Sequence, residues 1–243
     1  MNIWSYWEGK KPEWINSCLE SLEMHGGDNL SILNWDEFDK LWLEDRDLPI
    51  QDLYVAQQSD FIRAYLLRHY GGIWIDADCL IMRDLTPILK TCSLWDFMFY
   101  RQKGGDLSNA FIGAKEGSHT ADHYYKGVRW RIRQPRKLGW LDIGSRKMQE
   151  AMDIANTNNL QLAQEMIAPY DWNEGNVYLD KEGKKKFESI FNPRNFCHML
   201  SNHGIKGYED SISEGLSHEE SYFSYLVGKS KENATASTTG SYK

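Results

Sequence analysis

Between Ser59 and Asp84 the chain reads SDFIRAYLLRHYGGIWIDADCLIMRD, and the spacing of its apolar residues changes partway along. Phe61, Ala64, Tyr65, Leu66 and Leu67 cover one broad face of a helix, in a run without Pro or Gly. Asp60 and Arg63 fall three apart on its other side. Gly71-Gly72 predicts the stop, because glycine takes the left-handed C-cap conformation without steric cost. Ile73-Trp74-Ile75 then predicts a short buried strand that delivers Asp76-Ala77-Asp78. Alternate side chains of an extended chain share a face, so Asp76 and Asp78 are expected to project together.

The same reading runs through the rest of the chain. Asn2 to Tyr6 alternates as a first strand, and Pro12 opens a helix that should run to about Met24, with proline in the first turn where its missing N–H costs nothing. Leu30 to Asn34 predicts a second strand, and Trp35, Phe38, Leu41 and Trp42 sit at helical spacing. A β-α-β opening of this kind suits a parallel nucleotide-binding sheet, whose ligands bind at the carboxyl ends of the strands. Phe97 to Tyr100 and Ser108 to Ala114 predict further strands, Met148 to Ala155 a helix. Residues 1–228 are expected to form one domain. From Lys229 to Lys243 the chain is small and polar, which predicts a disordered tail.

Composition narrows the function classes. With 35 acidic and 28 basic residues among 243, the formal charge of −7 argues against a general nucleic-acid binder. Charge is unevenly placed: Lys126 to Lys147 carries eight basic residues against Asp142 alone, so it is +7 while the remainder is −14. That segment is a candidate contact for an anionic acceptor, a lipid-linked diphosphate or an anionic membrane surface. Cys18, Cys79, Cys92 and Cys197 show no C-x-x-C spacing and are read as reduced and buried. With no secretory leader and no long apolar run, the expected location is cytoplasmic, with peripheral membrane contact allowed by the basic segment.

Two carboxylates side by side repel unless a cation joins them, and Mg2+ or Mn2+ commonly takes one or two carboxylates together with substrate phosphates. Asp76 and Asp78 are therefore candidate metal ligands in a nucleotide-diphosphate site. The combination S-D-x-x-R-x-x-x-L with G-G-I-W-I-D-A-D, together with Ile3-Trp4-Ser5-Tyr6-Trp7-Glu8-Gly9 near the start, resembles glycosyltransferase family 32. That group contains capsular-polysaccharide-synthesis proteins and initiating α-1,6-mannosyltransferases.

The resemblance covers roughly the first half of the chain. It implies an α/β protein of the GT-A nucleotide-diphospho-sugar transferase fold, with a central mixed, mostly parallel sheet flanked by helices. It also implies a metal-dependent, retaining transferase of hexosyl or deoxyhexosyl groups, acting in surface polysaccharide or glycan synthesis. UDP-sugar is the first donor expected and GDP-sugar the second, with a glycan or lipid-linked acceptor.

By the same resemblance Trp4, Ser5 and Trp7 lie near the nucleotide, Asp60 and Arg63 contact the donor sugar and position its diphosphate, Asn109 faces donor or acceptor, and Lys206 shares the phosphate charge. Asp60, Arg63, Asp76 and Asp78 are the expected catalytic set. A C-terminal histidine is expected to complete the metal shell, His218 first and His203 second. The competing readings are a carbohydrate-binding or scaffold module and a phosphatase that uses the first Asp of D-x-D as nucleophile.

Overall fold

The computed structural model describes residues 1–201 and 215–239. The chain divides into two compact units, each drawn from three stretches, where the sequence reading expects one continuous domain. The first unit takes Met1–Glu8, Asn29–Asp76 and Pro87–Leu162; the second takes Gly9–Asp28, Ala77–Thr86 and Ala163–Lys243.

Six strands build the sheet of the first unit: β1 (Ile3–Tyr6), β2 (Leu30–Leu33), β3 (Gly72–Ile75), β5 (Phe97–Arg101), β6 (Leu107–Ala114) and β7 (Asn159–Leu162). Their order is β2-β1-β3-β6-β5-β7. β1 runs parallel to β2 and β3, β6 is antiparallel to β3 and β5, and β7 is parallel to β5, so the sheet is mixed and mostly parallel, as expected. Helices α2 (Trp35–Leu41), α3 (Val55–Tyr70), α5 (His119–Ile132) and α6 (Ser145–Ala155) belong to this unit.

α3 is the element that fixes the core. Phe61, Ile62, Ala64, Leu66 and Leu67 are fully buried, in one cluster with Trp74 of β3, Ile112 of β6 and Tyr124 of α5. Gly71, at φ 60°, ends the helix, and its amide donates to the Leu67 carbonyl. The backbone then enters β3 one residue later. Trp4 is 6% exposed, donates its indole N–H to the Gly71 carbonyl at 2.8 Å and packs on Tyr70. Its ring packs in the core and its N–H is taken by the Gly71 carbonyl.

The second unit holds α1 (Glu13–Gly26), a two-stranded sheet of β4 (Cys79–Ile81) and β8 (Cys197–Met199), α7 (Gln164–Ile167), α8 (Lys184–Ile190) and α9 (Tyr222–Thr239). α4 (Thr86–Cys92) starts at its boundary. α8 ends at Ile190, and β8 follows at Cys197–Met199.

α9 overturns the disordered tail. Ser230 is fully buried, donating its hydroxyl to the Ile81 carbonyl at 2.6 Å, and the Asn233 amide reaches the Met82 carbonyl at 2.7 Å. Small polar side chains dock this helix by hydrogen bonds to β4, which a reading based on apolar content does not register. All four cysteines are buried thiols. No described helix is long and apolar enough to cross a membrane.

Candidate active site

The side chains of interest in the first unit come from three elements. α3 supplies Asp60 and Arg63, β6 supplies Asn109, and the chain leaving β3 supplies Asp76. The Asp76 amide donates to the Ala110 carbonyl at 2.8 Å, so the β3–β6 ladder holds this backbone one residue past the strand. Trp74 and Asp76 stand two apart and share a face. The Trp74 indole N–H donates to Asp76 Oδ1 at 2.6 Å.

Arg63 is the hub. Its Nη2 lies 3.1 Å from Asp76 Oδ1, its Nε 3.6 Å from Asp60 Oδ1, and its Nη1 donates to the Asn109 carbonyl at 2.6 Å. Nε and Nη2 also bond the carbonyl and hydroxyl of Ser59, and the guanidinium carbon sits 5.0 Å from the Trp74 ring centroid. The residue is 4% exposed. These donors are directed at protein acceptors, so Arg63 holds two carboxylates and a strand.

Asn109 donates its side-chain amide to Asp60 Oδ1 at 2.7 Å, so the asparagine singled out by sequence joins the same cluster. Burial pushes the Asp60 carboxyl up to about 6, against the opposing pull of Arg63 and Asn109. Burial raises Asp76 as well, again opposed by Arg63 and by the Trp74 bond. One guanidinium thus serves two carboxylates, and with both ionised the cluster carries an excess negative charge. Such a cluster accepts hydrogen bonds from hydroxyls and attracts cations.

Two more polar atoms of β1 and the residue after it stand out. Ser5 is fully buried with its hydroxyl unpartnered, and the Trp7 indole nitrogen is likewise buried without a hydrogen-bond partner among the described residues. Unmet buried polar atoms are uncommon in folded proteins, and a water, an ion or a ligand can satisfy them.

Asp78 falls in the second unit, in a turn formed with Ala77, and its carbonyl accepts from Leu200 N at 3.0 Å. The extended geometry that would align it with Asp76 stops at Ile75, so the strand argument pairs Asp76 with Trp74 instead. Among the described residues no three His, Cys, Asp or Glu side chains group closely enough to cage a metal ion. His218 Nδ1 accepts from the Glu220 amide at 3.2 Å. His203 and Lys206 lie outside the described residues.

The basic segment is largely neutralised within the first unit. Lys126 pairs with Asp122, Arg129 with Asp45, Arg133 with Asp45 and Asp47, Arg131 and Arg146 with Asp142, and Lys147 with Glu150. The +7 read from composition is therefore not a bare cationic face, and a membrane contact through it is not supported. The acids that neutralise Arg129 and Arg133 come from a distant part of the sequence, which a local charge count misses.

Gly144, before α6, is a member of the site that sequence reasoning overlooks. A Cβ at this position would meet Asn109 Nδ2 at 2.8 Å and Asp60 Oδ2 at 2.9 Å. The glycine lets the backbone close against both side chains, and no local pattern around it announces that contact.

Residues 1–119 match the family described as capsular polysaccharide synthesis protein. Over 83 residues, 32% of this chain, the sequence is 31% identical to mannosyl phosphorylinositol ceramide synthase CSH1 of Saccharomyces cerevisiae, a match that spans 22% of that relative's length. Among solved structures, the glycosyltransferase GlyE of Streptococcus pneumoniae TIGR4 aligns at a TM-score of 0.51 and 11% identity, covering 96% of this chain and 63% of that one. The PaToxG glycosyltransferase aligns at 0.48 and 14% identity, covering 93% and 86%. The likeness to GlyE is one of fold, and that fold is GT-A.

Proposed function

We propose that this chain, which has the GT-A glycosyltransferase fold and matches the capsular polysaccharide synthesis family over residues 1–119, transfers a sugar from a nucleotide-sugar to a glycan or lipid-linked acceptor. The observation that carries the reading is the bonded cluster of Asp60, Arg63, Asp76 and Asn109 at the exit of β3. Open α/β sheets bind ligands outside the carboxyl ends of their strands, where this cluster stands.

Asp60 accepts hydrogen bonds from the hydroxyls of the donor's sugar, and Arg63 holds Asp60 and Asp76 in place. The unpartnered Ser5 hydroxyl and Trp7 indole nitrogen are the polar contacts offered to the nucleotide. UDP-sugars are the first choice of donor and GDP-sugars the second.

Asp76, joined by Asp78 two residues on, would hold Mn2+ or Mg2+. Two carboxylates suffice when phosphate oxygens supply further ligands, so the lack of a three-residue cage among the described residues does not argue against the ion. When bound, it would stabilise charge on the departing diphosphate. In transfer with retention the bond from anomeric carbon to phosphate oxygen breaks, the acceptor oxygen bonds that carbon from the same face, and the acceptor's proton passes to the leaving phosphate.

Thermal shift against UDP, GDP and their sugars, with and without Mn2+, tests the reading together with an assay of donor hydrolysis. A ligand that binds only the native state raises its melting temperature. The expected result is a metal-dependent shift with one nucleotide and slow hydrolysis of its sugar, lost in Asp76→Asn. Glycan binding that survives this substitution with no donor turnover would favour the binding-module reading. Phosphate release from simple phosphoesters would favour the phosphatase.

A further inference from the structure

Two adjacent glutamines in the first turn of α3 are used differently. Gln58 is saturated: its Nε2 donates to the carbonyls of Gln51 and Leu53 at 3.3 and 3.0 Å, and its Oε1 accepts the Tyr6 hydroxyl at 3.3 Å. Gln57 is the more deeply buried, 5% exposed against 9%. Among the described residues its side-chain amide nevertheless makes no hydrogen bond. A primary amide carries two donors and an acceptor, and since neither polar atom of Gln57 is among the enclosed unpartnered atoms, this one is open to water or to a ligand.

Position says what this open amide can meet. Gln57 precedes Asp60 by three residues on the same helix, so the two side chains are surface neighbours with Cβ atoms about 5–6 Å apart. Asp60 in turn touches Asn109 and Arg63. The amide is neutral and stands beside a cluster with excess negative charge, which disfavours an anionic partner. A carboxylate that only accepts, next to an amide that both donates and accepts, matches neighbouring hydroxyls on a sugar ring.

Resting on the transferase reading, we propose that Gln57 is a specificity-determining residue that reads hydroxyls of the donor's sugar alongside Asp60. A bound donor displaces water from this amide, so the correct sugar satisfies it and a donor whose hydroxyls are misplaced leaves it unmet. That kind of site rejects wrong substrates more strongly than an apolar pocket does.

The test is Gln57→Met, which keeps shape and removes hydrogen bonding, assayed with UDP-glucose, UDP-galactose and GDP-mannose and with sugar-free UDP and GDP. The expected variant melts no lower than wild type and binds the sugar-free nucleotide within about twofold of wild type. Its kcat/KM for hydrolysis of the preferred donor falls at least tenfold, and its ranking of the three sugars flattens. Unchanged ranking, or equal loss of affinity for the sugar-free nucleotide, overturns the proposal. A melting temperature several degrees lower would show the amide to be structural and overturns it too. Wild-type protein that neither binds nor hydrolyses any of these donors would instead remove the transferase reading on which the proposal stands.

Discussion

Arg63 Nη2 lies 3.1 Å from Asp76 Oδ1, on a residue that is only 4% exposed. The same guanidinium answers to Asp60, so it balances two buried carboxylates at once. Removing one partner of a buried ion pair leaves charge without compensation, at a cost of about 3–5 kcal/mol. Arg63→Met is expected to destabilise by an amount of that order in urea unfolding. Arg63→Lys keeps the charge but not the planar fork that reaches Asn109, Ser59 and Asp76 together, so it should recover only part of the loss. If Arg63→Met unfolds at the wild-type urea concentration, the hub role assigned to this residue is wrong.

Asp60 makes stability depend on pH in an unusual sense. Its folded pKa, about 6, stands above the ordinary 3.8, so between those values the folded state holds a proton that the unfolded state has lost. The stabilising contribution is complete below about pH 4 and is lost as pH rises through 6. A shift of this size corresponds to about 3 kcal/mol. Asp96, held down to about 2 against burial by the amides of Thr120 and His119 and the hydroxyls of Thr120 and Thr157, acts oppositely and only at lower pH. Asp60→Asn should therefore flatten the unfolding free energy between pH 4.5 and 7 while leaving the acid limb in place. A wild-type profile without a decline across that interval would contradict the assignment.

Much of this was open to a reading of the chain, and the failures have physical causes. α3, its glycine stop and β3 follow from periodicity, because a helix this heavily buried and a strand this short leave the pattern few alternatives. Asp60, Arg63, Asp76 and Asn109 come together as three segments converge, and only the resemblance to a known family could connect them in advance. The Trp74 indole bond to Asp76 follows the two-residue rule, and beyond Asp76 the chain enters a turn at Ala77-Asp78 that the sequence does not announce. The neutralising partners of Arg129 and Arg133, Asp45 and Asp47, lie 84 to 88 residues away from them in the chain. Charge counts along a chain do not see such folding.

The terminal helix offers a direct contrast between composition and structure. His25 Nε2 lies 3.1 Å from the Ser230 hydroxyl, which itself donates to Ile81, and Asn233 reaches Met82. Ending the chain after Lys229 removes these bonds and should lower stability by about 1–3 kcal/mol, with Ile81 and Met82 carbonyls left to find other partners. Ser230→Ala should reproduce part of the effect. A disordered tail predicts no change in the melting curve for either variant, so calorimetry separates the two descriptions.

Gly144 is where the smallest change should have the most specific consequence. An alanine Cβ would stand 2.8 Å from Asn109 Nδ2 and 2.9 Å from Asp60 Oδ2, and those two side chains are bonded to each other at 2.7 Å through Asp60 Oδ1. Neither can swing aside without breaking that bond, and Asp60 is also tethered to Arg63. Gly144→Ala is expected to cost only a few degrees in melting temperature while reducing kcat/KM for donor hydrolysis at least tenfold, since a displacement of well under 1 Å misaligns the group that orients the sugar. Combining it with Asn109→Ala removes one of the two clashing atoms, so the pair should lose less than the product of the single losses. Strict additivity, or a collapse in stability for the alanine alone, would place the glycine's importance in folding and separate it from the chemistry.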